Sequence, residues 1–261
     1  MKIGVFDSGL GGLLVLKELH RKLPRYDFLF LGDTKNLPYG NKSPDEIYKL
    51  AVRALEYLFG QNCSLVIIAC NTISAQALRK IQREWLPKSK YVNRKALGVI
   101  KPTVEIASVL SGLVGLIGTK RTIESLAYSR EFALINPGIK LVSKTTPNFV
   151  PMIESAKFDK RILEESLKSF KNINSLILAC THYGMLRTEI KKIVGPRVKI
   201  ISQEQLLPNK LKSYLLNHTE IDQRLSKNGK IELEVTRLNP FYEKLSQKWF
   251  GKRQKLILVK I

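Results

Sequence analysis

Two cysteines stand where sulfur could do acid–base work. Cys70 and Cys180 each follow a short apolar run ending in alanine, Val66-Ile67-Ile68-Ala69 and Leu176-Ile177-Leu178-Ala179. Each precedes polar residues, Asn71-Thr72 and Thr181-His182. The chain has three cysteines, an odd number that builds no disulfide framework. It holds no Cys-x-x-Cys, His-x-x-x-His or His-Glu-x-x-His spacing, so a zinc site has no support. Free thiols fit a reducing compartment and leave nucleophilic or acid–base chemistry open. A thiol between a strand end and a helix start meets backbone N–H groups and a positive dipole. Such a setting binds carboxylates and lowers a thiol pKa from its reference of about 8.5. Cys63 opens a strand with no polar motif beside it and reads as a small buried hydrophobe. His182 reads either as a satisfied core or surface histidine or, two residues after Cys180, as a proton handler or orienter. Asp7 ends a strand and enters a glycine loop. It reads either as a helix cap or Asx-turn, or as a carboxylate that grips a substrate ammonium or helps Cys70.

The elements that must position these residues alternate between strand and helix. Lys2 to Phe6, Asp27 to Leu31 and Ser64 to Ala69 read as strands. Leu13 to Leu23 carries apolar residues at helical spacing, and a helix with Ala75, Leu78 and Ile81 follows the third strand. Ser43-Pro44-Asp45-Glu46 starts a helix that runs to about Gly60, with Ser43 as N-cap, Pro44 at the first position and Glu46 completing a capping box. The second half repeats the plan. It has strands at Leu113 to Ile117, Lys140 to Val142 and Ser175 to Ala179, a helical segment after Thr122, and a helix from Asp159 to Phe170. Ile231 to Ile261 mixes short strands with one helix. This alternation predicts an α/β fold with mainly parallel sheets flanked by helices.

An internal echo links the halves. Gly4-Val5-Phe6 resembles Gly115-Leu116-Ile117 at an offset of 111 residues, and Ala69-Cys70-Asn71 resembles Ala179-Cys180-Thr181 at an offset of 110. Two near-equal offsets suggest duplicated lobes. In an open α/β sheet the ligand crevice lies at the carboxyl ends of the strands. If the two edges face each other, the thiols approach one molecule from opposite sides. That arrangement suits removal of a proton from one face of a carbon and delivery to the other, which one group cannot do alone.

Several classes are set aside. Gly9-Leu10-Gly11-Gly12 does not complete Gly-x-Gly-x-x-Gly, because Leu14 stands at the last position. No Gly-x-x-x-x-Gly-Lys-Ser/Thr exists, so nicotinamide, flavin and P-loop readings fail. The glycines fit a tight turn and close backbone approach to a small anion. No stretch reaches the roughly 18 to 20 apolar residues a membrane span needs, and the N-terminus is not a signal peptide, so the chain reads as soluble and cytoplasmic. The formal net charge is +22, but the basic residues are scattered and no recognition motif accompanies them. A solvated lysine-rich surface explains the charge better than nucleic-acid binding. The positive field would also attract an anionic amino acid.

At this point the chain resembles the glutamate racemases of the aspartate/glutamate racemase superfamily over nearly its full length. The blocks that carry the resemblance are GVFDSGLGG (4–12), GDTKNLPYGNKS (32–43), IIACNTISA (67–75), GVIKP (98–102), IGTKRTIES with AY (117–128), PNFVPMIE (147–154) and LACTHYGML (178–186). The resemblance implies two pseudo-symmetric α/β lobes with the active site in the cleft between them. The expected lobes are residues 1–97 with a return segment 207–261, and residues 98–206. It implies interconversion of L- and D-glutamate without pyridoxal phosphate, other cofactor or metal, supplying D-glutamate for peptidoglycan. It places the acid/base thiols at Cys70 and Cys180, with Asp7, His182 and Glu154 assisting. In such enzymes the first-lobe cysteine deprotonates D-glutamate and the second-lobe one L-glutamate. Substrate contacts fall on Asp7, Ser8, Pro38, Tyr39, Gly40, Asn71, Thr72, Thr181 and His182. A homodimer is the common assembly. The chain departs from the pattern at Gly184, usually proline, at Ser202-Gln203, commonly Asp-Ser, and at Thr145-Thr146, commonly Ala-Cys. An aspartate or broad-specificity racemase, a binding module without catalysis, and a thiol hydrolase using Cys180 and His182 are the competing readings.

Overall fold

The computed structural model describes residues 1–110, 112–170, 172–251 and 254–261. Its strands are β1 (Lys2–Asp7), β2 (Phe28–Gly32), β3 (Cys63–Ile68), β4 (Lys95–Gly98), β5 (Leu113–Gly118), β6 (Lys140–Thr145), β7 (Ser175–Ala179), β8 (Lys199–Ser202), β9 (Ile231–Val235) and β10 (Leu256–Leu258). They form a six-stranded sheet in the order β10-β9-β2-β1-β3-β4 and a four-stranded sheet in the order β6-β5-β7-β8. Every strand pair is parallel. β3 and β7 are buried along their whole length, which is why both read as unbroken apolar runs.

The internal echo is a structural repeat. The order β2-β1-β3-β4 matches β6-β5-β7-β8. The registers match too: Gly4 lies opposite Val66, and Gly115 lies opposite Leu176. These are the positions that the two sequence offsets equate. β9 and β10 extend the first sheet beyond β2, so the end of the chain returns to the first half.

Alternation along β1 divides the packing. Phe6 faces a layer that includes Ile47, Ala51 and Leu58 of the helix Pro44–Gly60. Ile3 and Val5 face the other way, into a core continuous with Val114, Leu116 and Ile177 of the second sheet. The helix Pro44–Gly60 carries the expected capping box, with the Ser43 hydroxyl accepting from the Glu46 amide and the Glu46 carboxylate accepting from the Ser43 amide. The helix Lys160–Leu167 starts at its Asp159 N-cap.

Several elements differ from the sequence reading, which lacks β4, β8 and the helices Ile100–Ser108 and Arg187–Val194. β6 runs on to Thr145 rather than stopping at Val142, as a half-exposed edge strand whose polar residues hid its length. The helical segment near Thr122 starts earlier, at Lys120, because the Thr119 side chain accepts from the Thr122 amide and caps it. It breaks at Leu126, with φ of 55°, before the helix Ala127–Ile135. The helix Gln203–Asn217 was not read at all; Pro208 lies inside it and masks its pattern.

Candidate active site

Both thiols sit at the carboxyl edge of their sheets, just beyond β3 and β7. Cys70 is the N-cap of the short helix Asn71–Gln76, and Cys180 is the N-cap of the 3-10 turn Thr181–Leu186. They are 6% and 9% exposed. The residues beside each sulfur reach across to the opposite half. Thr181 Oγ1 donates to Asp7 Oδ1 at 3.4 Å. Thr72 Oγ1 lies 3.0 Å from Thr119 Oγ1 and 3.3 Å from Thr122 Oγ1. The Tyr128 hydroxyl donates to Asn71 Oδ1 at 2.7 Å. Gly11 permits this meeting, since a Cβ there would collide with Thr181 Oγ1 and His182 Nδ1. The close backbone approach expected of the glycine loop is therefore made to the second thiol's own turn.

The two sulfurs have opposite electrostatic company. Cys70 lies 3.4 Å from Ser8 Oγ. Burial, the Asp7 carboxylate and, less strongly, Cys180 push the Cys70 thiol up to about 12, against the pull of Ser8 and the Ile73 amide. Asp7 is fully buried and accepts from the Gly9 amide at 3.2 Å, the Asx-turn geometry that a loop aspartate favours. Burial raises its carboxyl, while His182 and the Gly12 and Gly9 amides work the other way. Cys180 Sγ instead lies 3.9 Å from His182 Nδ1, and His182 Nε2 lies 3.1 Å from Glu154 Oε1. Burial disfavours the imidazolium, but Cys180 and Glu154 outweigh it and carry His182 up to about 10. Trp249 from the returning C-terminal segment closes over the His182 ring edge-to-face at 5.5 Å.

The remaining expected residues are spread around this centre. Tyr39 is buried, and its hydroxyl donates to Asp33 Oδ2 at 2.6 Å. Burial, Asp33 and the nearby Cys70 sulfur hold that phenol above its usual range. Gly40 lies against Thr119, and Pro38 is exposed at the start of the same turn. Asn71 Nδ2 is buried with no hydrogen-bond partner among the described residues. Thr119, Thr122, Tyr128 and Trp249 were not singled out from the sequence. Thr119 carried a signal: it lies 111 residues after Ser8, the offset of the echo. Thr146, one of the departures noted above, sits 2.7 Å from the Tyr183 hydroxyl beneath the Cys180 turn.

Among the described residues no group of three or more His, Cys, Asp and Glu side chains gathers as a metal site would. A cavity of about 750 Å³, lined by Arg79, Gln82, Lys101, Arg130, Lys210 and Tyr214 among others, includes neither thiol. The site is thus marked by converging chemistry rather than by volume. What the arrangement can do is present two sulfurs, each with its own polar assistant, from two halves of one molecule.

No protein-family model matches the chain. It is 36% identical over 259 residues to glutamate racemase 2 of Caldanaerobacter subterraneus subsp. tengcongensis, covering 96% of this chain and 94% of the relative. It superposes on the glutamate racemase of Francisella tularensis in complex with D-glutamate with a TM-score of 0.88 and 34% identity, over 99% of this chain and 97% of that one. The glutamate racemase of Thermus thermophilus in complex with beta-chloro-D-alanine gives a TM-score of 0.84 and 32% identity, over 100% of this chain and 97% of that one. A repeated parallel fold, a cysteine at the same strand end of each repeat, and relatives matched along nearly the whole length agree, and the chain belongs to the glutamate racemase family.

Proposed function

We propose that this protein interconverts L- and D-glutamate by two-base proton transfer between Cys70 and Cys180, with no cofactor. The observation that carries the reading is that equivalent strand ends of the two repeats each bear a thiol, while their flanking residues touch across the site. One sulfur, as thiolate, takes the α-proton from one face. The electron pair left on carbon delocalises into the α-carboxylate. The other sulfur, as thiol, delivers its proton to the opposite face. The C–H bond broken and the C–H bond formed balance, and the two sulfurs end with their proton loads exchanged.

The assistants divide by half. Asp7 and Ser8 serve Cys70; His182, held by Glu154, serves Cys180. Ser8, Pro38, Tyr39, Gly40, Asn71, Thr72, Thr181 and His182 form the substrate-binding set. The free amide hydrogens of buried Asn71 support this, because an unsatisfied buried donor is costly and is matched by a ligand oxygen. Exclusion of water strengthens each such bond. We take residues 1–97 with 207–261 as one lobe and 98–206 as the other. No helix among the described residues is long and apolar enough to cross a membrane. The reading further places the enzyme in the cytoplasm, as a homodimer, supplying D-glutamate for peptidoglycan.

The test is incubation of L-glutamate with the purified chain in deuterated water without added cofactor. The expected result is deuterium at the α-carbon together with loss of optical rotation. Stable rotation and no label would refute the reading, and faster racemisation of aspartate than of glutamate would correct its substrate.

A further inference from the structure

We propose that Ser202, Gln203 and Glu204, at the start of the helix Gln203–Asn217, are positioning residues that hold both thiol-bearing turns in place. The proposal rests on the two-thiol reading above. One short stretch of chain sends two side chains in two directions, one linked through Tyr128 to the residue after Cys70 and the other lying against the turn after Cys180.

The first prong reaches the Cys70 side. Gln203 is fully buried, and its Nε2 donates to the Tyr128 hydroxyl at 3.4 Å. That hydroxyl donates to Asn71 Oδ1 at 2.7 Å, and Asn71 directly follows Cys70. A phenol has a single hydrogen, so donating it to Asn71 leaves the Tyr128 oxygen as an acceptor for Gln203. The chain of donors therefore has one direction. It fixes Asn71 with its oxygen turned to Tyr128 and its amide hydrogens turned elsewhere, where no partner among the described residues takes them.

The second prong reaches the Cys180 side. The Glu204 carboxyl lies flat against Gly184, in the turn Thr181–Leu186 that follows Cys180. A Cβ at position 184 would stand 2.9 Å from both Cδ and Oε1 of Glu204. The Ser202 hydroxyl donates to Oε1 at 2.5 Å and fixes the carboxyl there. Burial raises this carboxyl above its usual range, against the pull of Ser202 and Arg187. Gly184 and Ser202, which depart from the family pattern separately along the sequence, are thus connected in space through Glu204. The missing Cβ makes room for a carboxyl that the serine holds.

Misplacing a reacting group by about 1 Å costs on the order of a hundredfold in rate, so small shifts of either turn are readable. The two enantiomers are equal in energy, so kcat/KM changes equally in both directions. The asymmetry lies in the primary isotope effect on kcat/KM, measured with α-deuterated L- and D-glutamate on the full-length protein. Gly184→Ala should lower kcat/KM by about tenfold or more. It should enlarge the isotope effect for the enantiomer that Cys180 deprotonates and shrink it for the other. Adding Glu204→Ala should recover part of that loss, since the collision is gone, but not the parent rate. Glu204→Ala alone should also lower kcat/KM, since the carboxyl that holds the turn is missing. Glu204→Gln, which keeps the shape, should stay active. Tyr128→Phe removes one oxygen and no packing, and should shift the isotope effects in the opposite sense. It carries the test alone if Gly184→Ala does not fold.

Unchanged isotope effects in Gly184→Ala and Tyr128→Phe would overturn the proposal, as would parent-rate turnover by Glu204→Ala or a Gly184→Ala defect that Glu204→Ala does not relieve at all. A parent protein that racemises nothing would instead overturn the site reading on which it stands.

Discussion

His182 is the one residue of the site whose proton is worth following through folding. Burial opposes its charge, yet Cys180 and Glu154 carry it from 6.5 to about 10. The folded protein therefore keeps a proton that the unfolded chain gives up between those values. Stability from this source is fully present below about 6.5 and is lost as pH rises toward about 10. The expected result is that the melting temperature of the parent falls more steeply than that of His182→Gln across this interval. Parallel curves would contradict it. Glu154→Gln removes one of the two pulls, so the imidazole titration followed by NMR should move down. At this scale the sequence was most informative where chemistry needs a particular atom. Cys70, Cys180, Asp7 and His182 could be chosen by type and place. Glu154 came from the resemblance alone, because a glutamate inside PNFVPMIE looks like any other surface carboxylate until its 3.1 Å contact with His182 is seen. Trp249 was illegible for the same reason: its partner is far away in sequence.

At the scale of the element, the glycine loop does more than turn the chain. Gly11 lets the end of β1 and the turn after Cys180 touch, and Gly11→Ala should push Thr181 and His182 away from Asp7. Racemisation should fall by about a hundredfold while far-ultraviolet circular dichroism stays that of the parent. Normal turnover in that variant would mean the contact is dispensable. Buried strands such as β3 and β7 and the Ser43–Glu46 capping box were legible because each is written in adjacent residues. The short edge strand β4 and the Pro208-containing helix Gln203–Asn217 were not. Their stability comes from tertiary partners, which outweigh a weak local pattern.

Across the whole molecule, two copies of one α/β plan have kept their strand order and register while their site residues diverged. Counting by the echo, Gly118 stands in the second half where Asp7 stands in the first, and Thr72 stands in the first where His182 stands in the second. The first sulfur thus has a carboxylate as its neighbour and the second an imidazole. This division fits the proposed reaction, in which one sulfur lacks the proton that the other holds. The central claim is that each sulfur serves one face of one carbon. The most direct measurement is loss of α-deuterium to ordinary water from each enantiomer of glutamate, using Cys70→Ser and Cys180→Ser separately. The account predicts that neither variant racemises, and that each releases label from one enantiomer, a different one in each case. Racemisation at the parent rate by both variants, or release from the same enantiomer in both, would contradict it.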